Sequence, residues 1–195
     1  MIWWLKARQA HVVLPASLAG LAALTLVFQD TTALLPSISL SGGTQTQVMT
    51  FVAIVPVAAV ARCLDSRLPA PEGSGIRPVR RLDTLLVLSV VAASLLVGFA
   101  VGALTGSSAA WAVGRNTAFL TGLMLCFHAL VGTPAVMVPV AWVMAVVLVG
   151  FRTFTDPYFW AIVPEPLGAP HAAIAAVLAL AAGIAAQLRS PRNQP

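Results

Sequence analysis

Six stretches of nearly unbroken apolar sequence, at residues 10–28, 48–63, 84–104, 111–131, 135–149 and 172–188, dominate this chain of 195 residues. Most approach the roughly 20 residues that a helix needs to cross about 30 Å of hydrocarbon. Only 9% of the residues are charged, against about 25% in a typical soluble domain. So much apolar sequence defines an all-α integral membrane protein, a single transmembrane domain over 1–195 with about six transmembrane helices. The stretches 48–63 and 135–149 are short, and tilt, local thinning of the bilayer or extra helix beyond the apolar limits would let them cross.

Orientation follows from the basic residues, because short loops rich in Lys and Arg stay on the cytoplasmic side. With six spans, Lys6, Arg8, Arg62, Arg67, Arg77, Arg80, Arg81, Arg189 and Arg192 fall on one side, and only Arg115 and Arg152 on the other. Both termini and the 64–82 loop are therefore placed in the cytoplasm of a cell (inner) membrane protein. The segment 29–47, the turn 105–110 and the 151–171 connection are placed outside. The net charge of +5 is explained by this topology and by anionic lipid headgroups, with no nucleic-acid partner needed. A basic N-terminus before an apolar run has the order of a signal peptide, yet no clear small-x-small site follows, so the segment is expected to be retained.

Residues 1–9 set Ile2, Trp3, Trp4 and Leu5 beside Lys6, Arg8 and Gln9, a composition suited to an interfacial helix at headgroup level. The first external loop, 29–47, is rich in Thr, Ser and Gly, and reads as irregular or as a short surface segment. The 64–82 loop is the longest and most charged cytoplasmic segment and is broken up by Pro69, Pro71, Gly73, Gly75 and Pro78. Gly132-Thr133-Pro134 forces a tight turn between spans four and five, and Pro139 permits a kink in span five. The 151–171 connection mixes aromatics with four prolines, and a piece such as 157–163 can re-enter the outer leaflet only where protein covers its backbone groups.

Ser94, Gly98, Gly102 and Gly106 recur at intervals of four in span three, so they share one helical face where another helix can approach closely. Leucine at Gly102 is expected to disturb that contact, and leucine at Val101, on another face, to be mild. Ala175, Ala179 and Gly183 form a similar stripe on span six.

Chemistry-bearing residues are scarce. His128 is the one ionisable residue expected near the middle of a span, bonded as a neutral ring to a carbonyl, and Cys126 two residues away faces the other side of the helix. Without buried Asp, Glu, Lys or Arg, an ion-coupled secondary transporter is disfavoured. The chain has no His-Glu-x-x-His zinc motif, no Gly-x-Ser-x-Gly elbow and no Walker A loop. The reading is therefore of a non-enzyme with no catalytic residues, no cofactor and no metal, whose energy, if used, comes from a partner. Cys63 and Cys126 lie near or within apolar spans and imply no disulfide framework.

Six spans, an interfacial N-terminal helix, a charged first cytoplasmic loop, a tight second cytoplasmic turn and a long aromatic external connection form a pattern that resembles the membrane subunit of an ABC-2-type exporter. The run from Arg115-Asn116 to Leu130, then Pro139, Trp142, Trp160 and Pro164, looks like small six-span permeases of high-GC bacteria. The resemblance implies an elbow helix at 1–9, a coupling segment at 65–83 and short outer-leaflet helices at 154–167. It also implies a cytoplasmic ATPase subunit contacted by Asp65, Arg67, Glu72, Arg77, Arg80 and Arg81. The chain would work as a homodimer or with a second membrane subunit, exporting an apolar or amphipathic compound. A non-transporting scaffold or assembly subunit of a larger membrane complex explains the lack of buried polar groups equally well.

Overall fold

The computed structural model describes residues 8–29, 31–38, 43–66 and 79–189. Its elements, in chain order, are α1 (Ala10–Val27), β1 (Thr32–Leu35), β2 (Thr44–Gln47), α2 (Met49–Val52), α3 (Ile54–Asp65), α4 (Val79–Thr105), α5 (Ser108–Val131), a 3-10 helix (Thr133–Met137), α6 (Val138–Val149) and α7 (Pro170–Arg189). The protein is mostly helical. Arg67, Glu72, Arg77 and nearly all of the expected interfacial helix at 1–9 lie outside the described residues.

Prolines explain where the helices are interrupted. Pro56 has no N–H to offer the carbonyl of Val52, and the second apolar stretch divides there into α2 and α3. In the fifth stretch the expected kink is a change of helix type: the 3-10 segment gives way to α6 at Val138, with Pro139 in the first turn, where a missing donor costs nothing. The tight turn before it depends on Gly132 at φ 73°, a left-handed conformation that only glycine adopts freely.

The first connection is more ordered than its composition indicates. β1 and β2 pair antiparallel, Thr32 opposite Gln47 and Leu35 opposite Thr44. Thr44 and Thr46 turn inward and are buried, while Gln45 and Gln47 are exposed, so the period-two alternation is carried by threonine and glutamine rather than by apolar residues.

Hydrogen bonds tie the helix ends into two polar seams. At one end, the proximal end, Arg8, Asp65, Arg80, Asp83, His128, Gln187 and Leu188 meet. At the other, the distal end, the Ser107 hydroxyl donates to the Gln29 carbonyl, that of Ser37 to Leu148, and the Gln45 N–H to Phe154. The six apolar stretches therefore run alternately between the two ends.

Among the described residues three helices are long and apolar enough to cross a membrane, α1, α4 from Arg80, and α7. Their outward faces carry Val12, Leu26, Leu88, Leu95, Leu96, Phe99, Ile174, Val177 and Leu178, an exterior that suits hydrocarbon better than water. α5 is the hub. It is buried on all sides from Ala112 to Gly122 and packs on both α4 and α7, as expected of a helix with no solvent-facing or lipid-facing stripe.

Candidate functional site

At the proximal end Arg8 is buried. Its Nη2 donates to Asp83 Oδ2 at 2.9 Å, and its Nη1 to the carbonyls of Leu64 at 2.8 Å and Cys63 at 3.3 Å. The last carbonyls of α3 have no partner within their own helix, and a guanidinium is well suited to cap them. One side chain thus joins the residues before α1 to the end of α3 and the start of α4.

Beside it His128 bridges two helices. Its Nε2 is 3.1 Å from Asp65 Oδ1 and its Nδ1 3.0 Å from Gln187 Nε2. The Asp65 carboxylate only accepts, so Nε2 carries the proton and Nδ1 accepts from the Gln187 amide. The Thr133 hydroxyl also donates to Asp65, at 3.4 Å. His128 therefore sits one turn from the end of α5, hydrogen-bonded to a carboxylate and a side-chain amide rather than at mid-span against a carbonyl.

These contacts locate the expected coupling residues. Asp65 is turned into the bundle toward His128, not outward. Arg80 is exposed and donates to the carbonyl of Leu188 at 2.5 Å. Arg81 is exposed at the start of α4.

The small-residue face of α4 meets α5 along part of its length. A Cβ on Gly98 would fall 2.7 Å from the Ala110 carbonyl oxygen, and one on Gly102 2.5 Å from Trp111 Nε1. Ser94 is buried on the same face. Gly106 does a different job: it lies past the helix end at φ 72°, with nothing near where a Cβ would point. Val101 is not on a free face either, since it is buried in an apolar cluster that includes Leu21, Ala109 and Val113. The tightest crossing is between α5 and α7, where a Cβ on Gly122 would strike the backbone of Ala179 and Leu180, and one on Gly183 would fall 2.5 Å from the Gly122 carbonyl oxygen.

The distal end holds a buried cation that the expected scarcity of buried charge did not include. Arg115 lies seven residues into α5, about 10 Å along the axis at ~1.5 Å per residue, and is 7% exposed. Its Nη2 donates to the carbonyls of Glu165 at 2.5 Å and Ile162 at 3.4 Å, its Nη1 to that of Pro166 at 2.9 Å. Nε and Nη2 also reach Asn116 Oδ1, while Asn116 Nδ2 donates to the Val163 carbonyl at 2.9 Å. Four carbonyls of an irregular segment are thereby satisfied well below the start of the helix. Ala161, Ile162 and Val163 are buried there, and Trp160 stacks edge-on against Trp142. The segment holds turns rather than the short helices expected at 154–167.

Next to this clamp is a partly open cavity of about 290 Å³, walled by β2, α2, the first turns of α5 and residues 155–167. Glu165 lines it, with its Oε1 3.4 Å from His171 Nε2. Among the described residues no group of three His, Cys, Asp or Glu side chains could hold a metal ion. No family model, curated protein or solved structure matches this chain.

Proposed function

We propose that the chain is the membrane-spanning permease subunit of an ABC-2-like exporter, moving an apolar or amphipathic compound with energy from a separate cytoplasmic ATPase. In this reading all six apolar stretches cross the cell membrane and the proximal end faces the cytoplasm, which the proximal clustering of Arg8, Arg62, Arg80, Arg81 and Arg189 supports. The observation that carries the proposal is the anchoring of both flanks of the 64–82 connection. Asp65 on one side is held by His128 and Thr133, and Asp83 on the other by Arg8, which also grips the end of α3. A cytoplasmic loop fixed at both feet passes a push from a bound ATPase into four helices at once, which a loosely attached loop does not. α5 fills the middle of the bundle and its side chains Arg115, Asn116, Thr117 and His128 are spent on structural bonds, so the transport path lies between two bundles, along apolar walls.

That same filled middle also favours a second reading, a non-transporting scaffold subunit. Affinity purification in mild detergent followed by mass spectrometry separates the two. A co-purifying chain with a Gly-x-x-x-x-Gly-Lys-Ser/Thr loop is the expected result. Membrane subunits recovered without any ATPase would favour the scaffold and count against the exporter.

A further inference from the structure

We propose that the outer edge of β1 is the surface on which a second copy of this chain docks, the two β1 strands pairing antiparallel across a two-fold axis. The Val48 N–H donates to the Thr31 carbonyl at 3.0 Å, and in an antiparallel ladder every second pair of residues is bonded in this way. Ala33–Thr46 and Leu35–Thr44 are therefore bonded pairs, and Thr32 and Leu34 turn their N–H and C=O groups away from β2. Gln45, opposite Leu34, shows the same alternation on the other edge of the hairpin, where its N–H donates to the Phe154 carbonyl at 3.0 Å. Among the described residues no such bond covers the outward groups of Thr32 and Leu34.

Sheet edges left open to solvent are normally blunted by charge, by proline or by a bulge. Residues 31–38 and 43–48 carry no charged side chain, β1 pairs without a bulge, and Pro36 comes only after the strand. The edge is also held in place, since the bond to Phe154 and that from the Ile38 N–H to the Leu148 carbonyl tie the hairpin to the distal end of the bundle. Leu34 and Ile38 are 66% and 78% exposed, an apolar rim for a partner to cover. Two copies in one membrane share an orientation, so their β1 edges lie at the same depth and a two-fold can join them through the same patch. Centring the pair on Ala33 sets Thr32 opposite the partner's Leu34, so every outward N–H of either copy meets an outward C=O of the other. A register centred on Leu34 would instead set Pro36, which has no N–H, opposite the partner's Thr32. In the Ala33 register Leu34 and the partner's Leu34 are diagonal neighbours on one face, within reach of each other. The pairing supplies the second bundle of the exporter reading, but it involves no ATPase, so either can fail without the other.

The test is disulfide cross-linking in isolated membranes, with single cysteines in a background lacking Cys63 and Cys126 and copper phenanthroline as oxidant. Ala33 and the partner's Ala33 form a non-hydrogen-bonded pair, whose Cα atoms lie about 4.5 Å apart, inside the range of about 4.4–6.8 Å that a disulfide spans. Ala33→Cys should therefore give a covalent dimer, and Gln45→Cys, exposed on β2, at least tenfold less. Adding Leu34→Lys to Ala33→Cys puts like charges beside the axis without touching the β1–β2 bonds, and should cut the dimer at least tenfold. Co-expressing that chain with a differently tagged Leu34→Glu, Ala33→Cys chain should restore a cross-link between the two tags. A covalent dimer that is absent at Ala33→Cys, equal at the two cysteine positions, or undiminished by Leu34→Lys overturns the proposal. So does a failure of the Lys and Glu chains to link to each other.

Discussion

Arg8 and Asp83, 75 residues apart in sequence, meet with 2.9 Å between Nη2 and Oδ2, and their side chains are 1% and 14% exposed. Removing one partner of such a pair leaves the other charge buried, at a cost of about 3–5 kcal/mol, whereas replacing both by apolar groups is often close to neutral. Arg8→Ala and Asp83→Ala should each lower the unfolding midpoint in detergent by a large margin. The double variant Arg8→Met with Asp83→Leu should recover most of the loss. Simple additivity of the two single changes would show that the pair does not act as a unit.

The α5–α7 crossing leaves no room for a side chain at Gly122. Gly122→Ala should sharply reduce folded protein recovered from membranes, and Gly102→Leu should do the same by striking Trp111. Ala103→Leu, on the exposed face of α4, should be mild. Equal tolerance at the three positions would contradict the helix packing.

Arg115→Lys should not preserve the distal clamp, because a single ammonium cannot reproduce the planar fork that reaches several carbonyls together. Amide hydrogen exchange in the 158–169 segment is expected to speed up at least tenfold in Arg115→Lys, with the proximal ends of α3 and α4 unchanged. Unaltered exchange in the segment would mean that the turns hold themselves.

Much of this architecture is legible in the sequence, and the reasons differ by element. The apolar limits at 10–28 and 172–188 match α1 and α7 to within two residues, because hydropathy directly reports the stretches that must avoid water. The β1–β2 pairing is invisible to the same criterion, since the inward residues of β2 are threonines. Arg115 reads as an isolated external charge because its partners are backbone carbonyls 47 to 51 residues further on, and backbone acceptors leave no mark in a sequence. His128 finds Asp65 63 residues away for a similar reason: the turn-by-turn register that joins them is set by packing. Gly122 closes a stripe of its own, with Ala110, Gly114 and Ala118 before it at intervals of four, and it meets the Ala179 and Gly183 face of α7, so the closest helix contact in the bundle carried a periodic signal that was read on α7 and missed on α5. The proline-rich connection at 151–171 sets a condition for lying at membrane depth, coverage of its backbone groups by protein, and Arg115 and Asn116 bond four of its carbonyls.

Sidedness is testable with single cysteines in a background lacking Cys63 and Cys126. Thr155→Cys, at the distal end, should react with an impermeant thiol reagent added to intact cells, and Ser66→Cys, at the proximal end, should react only after the cells are opened. The reverse pattern would invert the orientation and remove the 64–82 connection from the cytoplasm.

The claim that this connection couples the bundle to an ATPase is tested most directly by retention of the ATPase on purified chains. The comparison is between wild type, Glu72→Arg, and a variant with Arg77, Arg80 and Arg81 all changed to Ala. Charge reversal across a contact is repulsive, so at least one of the two variants should lose most of the co-purified ATPase, or of its cargo-stimulated hydrolysis, while the membrane chain keeps its unfolding transition. Unchanged retention and unchanged stimulation in both variants would contradict the coupling role and, with it, the exporter reading.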